Sequence, residues 1–535
     1  MSIVEGDPLQ PAPEGLTAKT LRGAKWSYLS TFVNAGLQIG VTAILARVLA
    51  PSAFGLVAMA GVVLNFGSYF AQMGVGQAIV QRRVLTREHI AAGLWASVLI
   101  GAAFSAFVWV AAPLAAAAFN SVELSLVLRV MGLTFFVGST SNVAGAILQR
   151  EMRFRALAIC DIGAYVVGYA GVGVFTALSG FGVWSLVVAA FCQRSISSIC
   201  YNALARPPAA PVVSWRPYRE ILGFGSTVSV IGFLEFLNGN LDTMTVGRFA
   251  GSTSLGYYSR AQNLTAVPLH YMSASLVSVL LPSFSSIQAD TVRLRKAYLS
   301  VITVFAGVGL PIAFGMSGAA REIIAVLLGP RWSAAVPVMQ IAAVASAAAL
   351  LTHFGGMALE ATAHLRDKLA MNIAFLIFFS SLLVGLSRFG LVGYALAFAM
   401  SQVLQHAVYA TRIGVLFHVP ARDNVGAYVP GLLCGVCVWV AVYGESVLGA
   451  RLTMPSGATL LVQIVTGALI LGFMGLRVGH GQVFRAMHER LGTPPQSGPV
   501  AVAVRIAARM SGNKLESSPD AEYTGVPSDK SVDDS

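Results

Sequence analysis

The sequence predicts an all-α polytopic membrane protein with about 14 transmembrane helices. Of its 535 residues, 56% are apolar and only 11% are charged, and the mean hydropathy is +0.72. A soluble globular domain carries about 25% charged residues. Apolar stretches of about 20 residues, the length that crosses a bilayer, recur along the chain between short loops. Positive charge lies almost entirely in alternate loops, which is the third sign of a chain that crosses a membrane repeatedly.

The apolar stretches place the spans in order. They lie near residues 26–48, 55–77, 89–112, 124–147, 156–178, 181–204, 220–247, 253–281, 297–318, 333–358, 368–387, 391–411, 427–446 and 455–476.

Loop charges orient these spans. With the N-terminus inside, 27 of the 35 Lys and Arg residues fall in cytoplasmic segments, as the positive-inside rule requires. We therefore expect a multi-pass protein of the bacterial inner membrane with both termini in the cytoplasm. This topology and contact with anionic lipid explain the net charge of +12 without a nucleic-acid partner.

A short internal repeat appears at an offset of 201 residues. Arg47–Gly55 aligns with Arg248–Gly256, so that in each copy an Arg ends one span and a Gly opens the next. Transporter folds are often built from such duplications. The repeat predicts two equivalent six-helix lobes joined by a proline-containing linker. The predicted segments are a polar cytoplasmic N-terminus (1–21), a first lobe (22–204), the linker (205–219), a second lobe (220–416), two appended spans (427–478) and a partly disordered cytoplasmic tail (479–535).

Polar side chains inside the spans share faces. In span 1 the polar face consists of Ser27, Thr31, Asn34, Gln38 and Thr42. In span 7, Glu235, Asn238 and Asp242 are spaced i, i+3 and i+7 and therefore lie on one side of a helix. Span 8 adds Arg260 and Asn263. Polar groups are costly in lipid, so these faces predict a polar cavity between the lobes.

Two structural alternatives stay open for these residues. Stripes of Ser, Thr and Asn also join transmembrane helices to one another without any ligand. The ionisable groups are harder to explain in this way, because each costs roughly 2.5–3.5 kcal/mol at the centre of a membrane helix. An ion pair between Arg260 and either Glu235 or Asp242 would satisfy them structurally.

Signs of enzymatic chemistry are absent from the sequence. It contains no phosphate-binding loop, no paired carboxylates on an outer loop and no long outer loop that would house an active site, which disfavours a membrane glycan polymerase. We predict no enzyme activity, cofactor or metal site. All five cysteines lie in predicted spans, and the Cys434-x-x-Cys437 pair lacks neighbouring His or carboxylate ligands, so helix packing explains it.

Several segments resemble the polysaccharide transporter family. Four of them lie in the first lobe: Leu49–Met59 (LAPSAFGLVAM), Gly74–Arg82 (GVGQAIVQR), Leu148–Arg155 (LQREMRFR) and Gly180–Trp184 (GFGVW). Two more, Gly256–Asn263 (GYYSRAQN) and Leu281–Gln288 (LPSFSSIQ), are similar to its colanic-acid-exporter, or Wzx-type, branch. The resemblance covers about residues 20–420. It implies a member of the multidrug/oligosaccharidyl-lipid/polysaccharide exporter superfamily, with two six-helix lobes in a V around a central polar cavity.

The family resemblance implies a flippase that turns undecaprenyl-diphosphate-linked oligosaccharide repeat units from the inner to the outer leaflet for exopolysaccharide or lipopolysaccharide biosynthesis. Arg grips phosphate through two parallel hydrogen bonds, so Arg260 is the expected diphosphate ligand, with Arg47 and Arg248 near the outer mouth. The expected sugar ligands are Asn34, Gln38, Asn238 and Asn263, and the expected carriers of a coupling proton or sodium ion are Glu235 and Asp242.

The same resemblance leaves two alternative transporter functions open and implies a protein partner. A multidrug or metabolite antiporter is expected to have a more acidic cleft, and a lipid II flippase a more cationic first lobe. The polysaccharide polymerase and co-polymerase machinery is the expected protein partner.

Overall fold

The computed structural model describes residues 33–71, 75–82, 85–208, 210, 229–288, 290–362 and 364–479. Within these residues the chain is helical and contains no strand. Nine helices there are long and apolar enough to cross a bilayer. The predictions for residues 1–21, for most of the linker and for the tail beyond residue 479 lie outside the described residues.

Seven helices form the first lobe. They are α1 (Val33–Val48), α2 (Pro51–Ala71), the short α3 (Val75–Gln81), α4 (Arg87–Ala118), α5 (Val122–Arg150), α6 (Phe154–Leu178) and α7 (Val183–Ala205). Helix α2 begins at Pro51, four residues earlier than predicted, because proline at the first helical position loses no hydrogen bond. Helix α6 contains a π-helical segment, Val166–Gly173.

The second lobe begins with one long helical run. Helix α8 (Ser229–Ser286) is interrupted at Gly251, whose φ of 81° is readily adopted only by glycine. Spans 7 and 8 are therefore the two halves of α8. The lobe continues with α9 (Thr291–Gly318), α10 (Ala320–Leu327), a 3₁₀ turn (Pro330–Ala335), α11 (Val336–Ala361), α12 (Leu365–Leu386) and α13 (Gly390–Leu416). The search for apolar stretches of about 20 residues did not predict α10 or the 3₁₀ turn, because both are much shorter than a membrane span.

Three helices follow the second lobe. They are the short α14 (Ala421–Gly426) and the long pair α15 (Val429–Arg451) and α16 (Ser456–Gly479). Helix α15 packs so closely on α9 that a Cβ atom at Gly431 would overlap the carbonyl of Ala306. The predicted class, an all-α membrane protein with two lobes and two appended long helices, is confirmed.

The chain divides into two compact units. The unit Met1–Leu471 contains both lobes, α15 and most of α16. Of the unit Gly472–Ser535, the structure describes residues 472–479, the last two turns of α16.

Candidate functional site

The two copies of the repeat meet face to face at the first turns of α2 and of the second half of α8. A Cβ atom at Gly55 would overlap the carbonyl oxygen of Ser252, and a Cβ atom at Gly256 would overlap that of Pro51. The offset of 201 residues pairs Pro51 with Ser252 and Gly55 with Gly256, so the contact is reciprocal. We call this contact the lobe junction. Only glycine allows two backbones to approach so closely.

Arg47 and Arg248 fasten the same junction from its two sides. The guanidinium of Arg47, at the end of α1, donates to the carbonyl of Val326 in the last turn of α10 at 2.5 Å. The guanidinium of Arg248 donates to the carbonyl of Ala117 in the last turn of α4 at 3.0 Å. Each Arg thus crosses from its own lobe to a helix C-terminus of the other, where unpaired carbonyls favour a cation. Both of these predicted substrate ligands bind backbone carbonyls in this conformation.

Trp332 completes the junction and was not singled out in the sequence. It is fully buried on the 3₁₀ turn after α10, and its indole nitrogen donates to the carbonyl of Ala46 at 2.9 Å. Its ring packs edge-on against Phe54 at 5.4 Å and against Tyr257 at 5.7 Å. A tryptophan of the second lobe is therefore inserted into the core of the first. The short turn that carries it left no periodic signal in the sequence.

Arg260 reaches across the junction into an aromatic pocket of the first lobe. Its guanidinium carbon lies 5.2 Å from the centre of the Phe54 ring, a cation–π distance. Tyr165 and Tyr169 of α6 interact with it electrostatically and stack on each other at 5.1 Å. The second of these tyrosines lies in the π-helical segment, a feature that is frequent at functional sites. The Nε of Arg260 is buried without an acceptor, and within the described residues no carboxylate pairs with the side chain.

Asp242 accepts hydrogen bonds from two side chains of the second half of α8 and from the backbone of the residue that follows it. Its Oδ2 accepts from the Tyr258 hydroxyl and from the Gln262 amide, both at 2.8 Å, and its Oδ1 accepts from the backbone nitrogen of Thr243 at 2.7 Å. Tyr258 and Gln262 lie one turn apart on a single face. Arg260, two residues from each, projects from the opposite face of the helix. The alternative ion pair between Asp242 and Arg260 is therefore wrong.

Glu235 pairs with Lys368. The ammonium of this lysine lies 2.5 Å from a carboxylate oxygen of Glu235 and also bridges to Glu360. Lys368 is 8% exposed, whereas the side chains of Glu235 and Glu360 are 45% and 37% exposed. One buried cation thus joins two partly solvated carboxylates, so the alternative Glu235–Arg260 pair is also wrong. We call these three residues the carboxylate–lysine triad.

The triad lies at the turn between α11 and α12, and sequence reasoning missed two of its members. Lys368 had been counted among the loop charges because it stands at the start of a predicted span. Glu360 is the penultimate residue of α11, and only the change of direction between α11 and α12 brings it beside Lys368. Asn238, one turn after Glu235, donates to the carbonyl of Asn372, one turn after Lys368, at 3.2 Å. Glu235 and Asn238 of the polar face of span 7 therefore contact α12, whereas Asp242 of the same face contacts the second half of α8.

The remaining predicted sugar ligands are not brought together by any described contact. Asn34 is half-buried, Gln38 and Asn263 are exposed, and Asn238 is half-buried against α12. The predicted site residues thus divide into a junction group (Arg47, Arg248, Arg260), a buried carboxylate (Asp242), a triad member (Glu235) and amides along α1 and α8. This is the arrangement of a two-lobed membrane transporter with a closed contact at one end of its lobes.

Comparisons with known proteins define the family. The family model described as "Polysaccharide biosynthesis protein" matches residues 44–337, and the chain belongs to this family. Among curated proteins it is similar to the lipopolysaccharide biosynthesis protein WzxC of Escherichia coli K12, with 24% identity over 73% of this chain and 80% of that one. It is also similar to the teichuronic acid biosynthesis protein TuaB of Bacillus subtilis 168, with 23% identity over 86% of this chain and 95% of that one.

A solved structure shows the same fold. The lipid II flippase MurJ in its inward closed conformation matches with a TM-score of 0.67 and 12% identity, over 87% of this chain and 99% of that one. The resemblance to polysaccharide exporters predicted from the sequence motifs is confirmed by the family match.

Proposed function

We propose that the protein is a flippase that moves undecaprenyl-diphosphate-linked oligosaccharide repeat units from the inner to the outer leaflet of the bacterial inner membrane, driven by a proton or sodium gradient. The family membership, the relatives named for lipopolysaccharide and teichuronic acid biosynthesis and the MurJ-like fold support the substrate class. A hydrated sugar chain and a diphosphate need a polar path through hydrocarbon, and the amides on α1 and α8 are the groups that we propose line it.

The observation that carries this proposal is the state of Arg260. Its Nε lies buried without an acceptor, held against Phe54 by a cation–π contact, at the contact between the lobes. A guanidinium stays charged when it is desolvated and binds phosphate through two parallel hydrogen bonds. When the lobes separate at the junction, the aromatic pocket opens and the guanidinium is freed to bind the diphosphate.

The loop charges orient the junction. With both termini inside, the contact between α2 and α8 lies near the outer leaflet, so the structure has its outer side closed. Arg47 and Arg248 then hold the outer side closed through their hydrogen bonds to helix ends. When these bonds break, two further guanidinium groups become available to the diphosphate on the outer side.

The carboxylate–lysine triad is the proposed coupling site, with Asp242 as a second buried acid. In the triad one ammonium is shared by two carboxylates, so neutralising Glu235 with a proton, or replacing the ammonium at the carboxylates by sodium, weakens the tie between α8 and α12. Either event would alter the packing of α8 against α12. Ion binding is thereby linked to the shape of the second lobe.

The experiment uses proteoliposomes that contain the purified chain and an undecaprenyl-diphosphate oligosaccharide of the host strain. Transport is measured as the fraction of lipid-linked sugar that becomes accessible to an added glycosidase. We expect Arg260→Ala to abolish transport, and Arg260→Lys to restore only part of it because an ammonium keeps the charge but lacks the planar fork.

Two outcomes would contradict this assignment. Full transport by Arg260→Ala at normal protein levels would remove Arg260 from the substrate path. Transport of lipid II or of a cationic drug by the wild-type protein, with no turnover of the oligosaccharide substrate, would favour one of the two rival transporters.

A further inference from the structure

A cluster of polar side chains lies where α10, α15 and α16 meet, and it shares no residue with the triad or the junction. It consists of Glu322, Glu445, Ser446, Gln463 and Thr466. The hydroxyl of Ser446 donates to Glu322 Oε1, and that of Thr466 donates to Glu445 Oε1, both at 2.6 Å. The amide nitrogen of Gln463 donates to the carbonyl of Val442 at 3.1 Å. These bonds join the two appended helices to each other and to α10.

Three oxygens in this cluster have no hydrogen-bond donor. They are Glu322 Oε2, Glu445 Oε2 and Gln463 Oε1, and each is buried. Glu322 is 5% exposed and Gln463 is 2% exposed. The amide orientation of Gln463 is fixed, because its nitrogen is used by the carbonyl of Val442, so the oxygen is the group left over.

The helix register places two of these oxygens within one helical turn of each other. Thr459 packs on Gly449, Gln463 bonds to Val442 and Thr466 bonds to Glu445, which sets α15 and α16 antiparallel. Glu445 and Gln463 each lie three residues from the residue that the other one binds, so they are close along the helix interface. Ser446, next to Glu445 on α15, ties Glu322 to the same level.

A buried acceptor without a donor costs about 1–3 kcal/mol, and more when it is charged. Here the three unpaired groups are all oxygens, so the missing component is a donor or a cation. Carboxylate and amide oxygens are ligands suited to a hard cation, and protonation of a carboxyl supplies a donor in its place. We propose that this cluster is a second cation site, which binds sodium or a proton between α10, α15 and α16.

The location assigns the site a role. Helix α15 lies against α9 with glycines at the contact, and Glu322 belongs to α10, the helix whose last turn is held by Arg47. A cation bound at Glu322, Glu445 and Gln463 therefore fastens the appended helix pair to the part of the second lobe that forms the junction. This function does not depend on which lipid-linked substrate the protein carries.

The test measures thermal unfolding of the purified full-length protein in detergent without substrate. The midpoint Tm is followed from zero to 300 mM sodium chloride, with choline chloride keeping the ionic strength constant, and separately from pH 5.5 to 8.5. Binding to the folded state alone is expected to raise Tm by about 2–5 °C at saturation. The variants are Glu445→Gln and Gln463→Leu, and the matched control is Glu123→Gln, an exposed carboxylate in the first turn of α5.

The outcomes separate the two cations and the case of no site. A rise in Tm with sodium that is lost in both variants and kept in the control identifies a sodium site. A rise at low pH without a sodium effect, with Glu445→Gln insensitive to pH, identifies a proton site.

A wild-type Tm that responds to neither cation overturns the proposal, as does a response that both variants retain. Because the triad is also a proposed cation site, a wild-type response is assigned to this cluster only by a variant, and where one of the two variants fails to fold the other decides. Loss of flippase activity has no bearing on this measurement, so the two proposals fail independently.

Discussion

Adding one methyl group at the lobe junction is expected to prevent its closure. In Gly55→Ala the new Cβ overlaps the carbonyl oxygen of Ser252, and in Gly256→Ala it overlaps that of Pro51. The atom met in each case is backbone, so no rotamer change relieves the overlap and the helices must separate. Overpacking of this kind costs about 1–3 kcal/mol, which corresponds to a roughly 5- to 150-fold loss of the closed state relative to the open one.

The assay follows the accessibility of a residue that closure buries. Ala53, on α2 between Pro51 and Gly55, is 6% exposed. In a cysteine-free background with Ala53→Cys, we expect a membrane-impermeant maleimide to react in intact cells faster in the Gly55→Ala protein, by the same 5- to 150-fold if the open state is rare in the parent. Glycan export should fall, because a transporter that cannot close its outer side cannot complete the cycle.

The same helix supplies the matched control. A Cβ added at Gly61 meets no atom within 4 Å, so Gly61→Ala makes the same chemical change on α2 without the overlap. Equal labelling rates in Gly55→Ala and Gly61→Ala, at equal protein levels, would refute the junction as a gate. Gly256→Ala provides the reciprocal test from the second lobe and should reproduce the effect.

Two further predictions concern the triad and the topology. Lys368→Gln leaves the carboxylates of Glu235 and Glu360 side by side without a cation. Since both are partly solvated, we expect the free energy of unfolding to fall by about 1–3 kcal/mol. The amount of protein in the membrane should then be lower, and the double variant Lys368→Gln/Glu235→Gln should restore it. Glu235→Gln alone keeps the Lys368–Glu360 pair, so folded protein should persist while transport loses its dependence on the ion gradient; unchanged coupling would remove Glu235 from the ion path. For topology, cysteines at Asn120 and Thr453, both in exposed turns, should react with an impermeant reagent from outside, whereas cysteines at Glu88 and Arg422 should react only after permeabilisation. The reverse pattern would place the junction at the inner leaflet.

Much of the fold was predictable because a membrane helix can be recognised from its own residues. About 20 apolar residues and alternating loop charges need no knowledge of neighbours, and the spans predicted for the first lobe overlap α1, α2 and α4–α7. The period of 3.6 also placed Glu235, Asn238 and Asp242 on one face, and the structure turns Glu235 and Asn238 together toward α12. The spacing did not show which residues these side chains contact.

Side-chain partners depended on contacts that are distant in sequence. Lys368 bonds Glu235 across 133 positions, and Trp332 reaches Ala46 across 286. Neither contact leaves a local trace. Glu445 shows the same limit at short range: it lies next to the end of the predicted span 427–446, whereas α15 continues to Arg451 and Glu445 accepts a hydrogen bond from Thr466 within the helix pair.

The internal repeat explains the contact that closes the lobe junction, and a departure from the repeat explains the proposed diphosphate ligand. At the junction the two copies match, since Gly55 and Gly256 exchange the same backbone contact and Arg47 and Arg248 each bind a carbonyl at a helix end of the opposite lobe. At the offset of 201 residues, however, Arg260 corresponds to Met59, a fully buried apolar residue. The reciprocal glycine contact therefore involves no ionisable group, whereas Arg260, the main proposed diphosphate ligand, belongs to the second lobe alone. Closure and substrate binding should accordingly be separable, with Gly55→Ala changing accessibility at the junction and Arg260→Ala leaving that accessibility intact while abolishing transport.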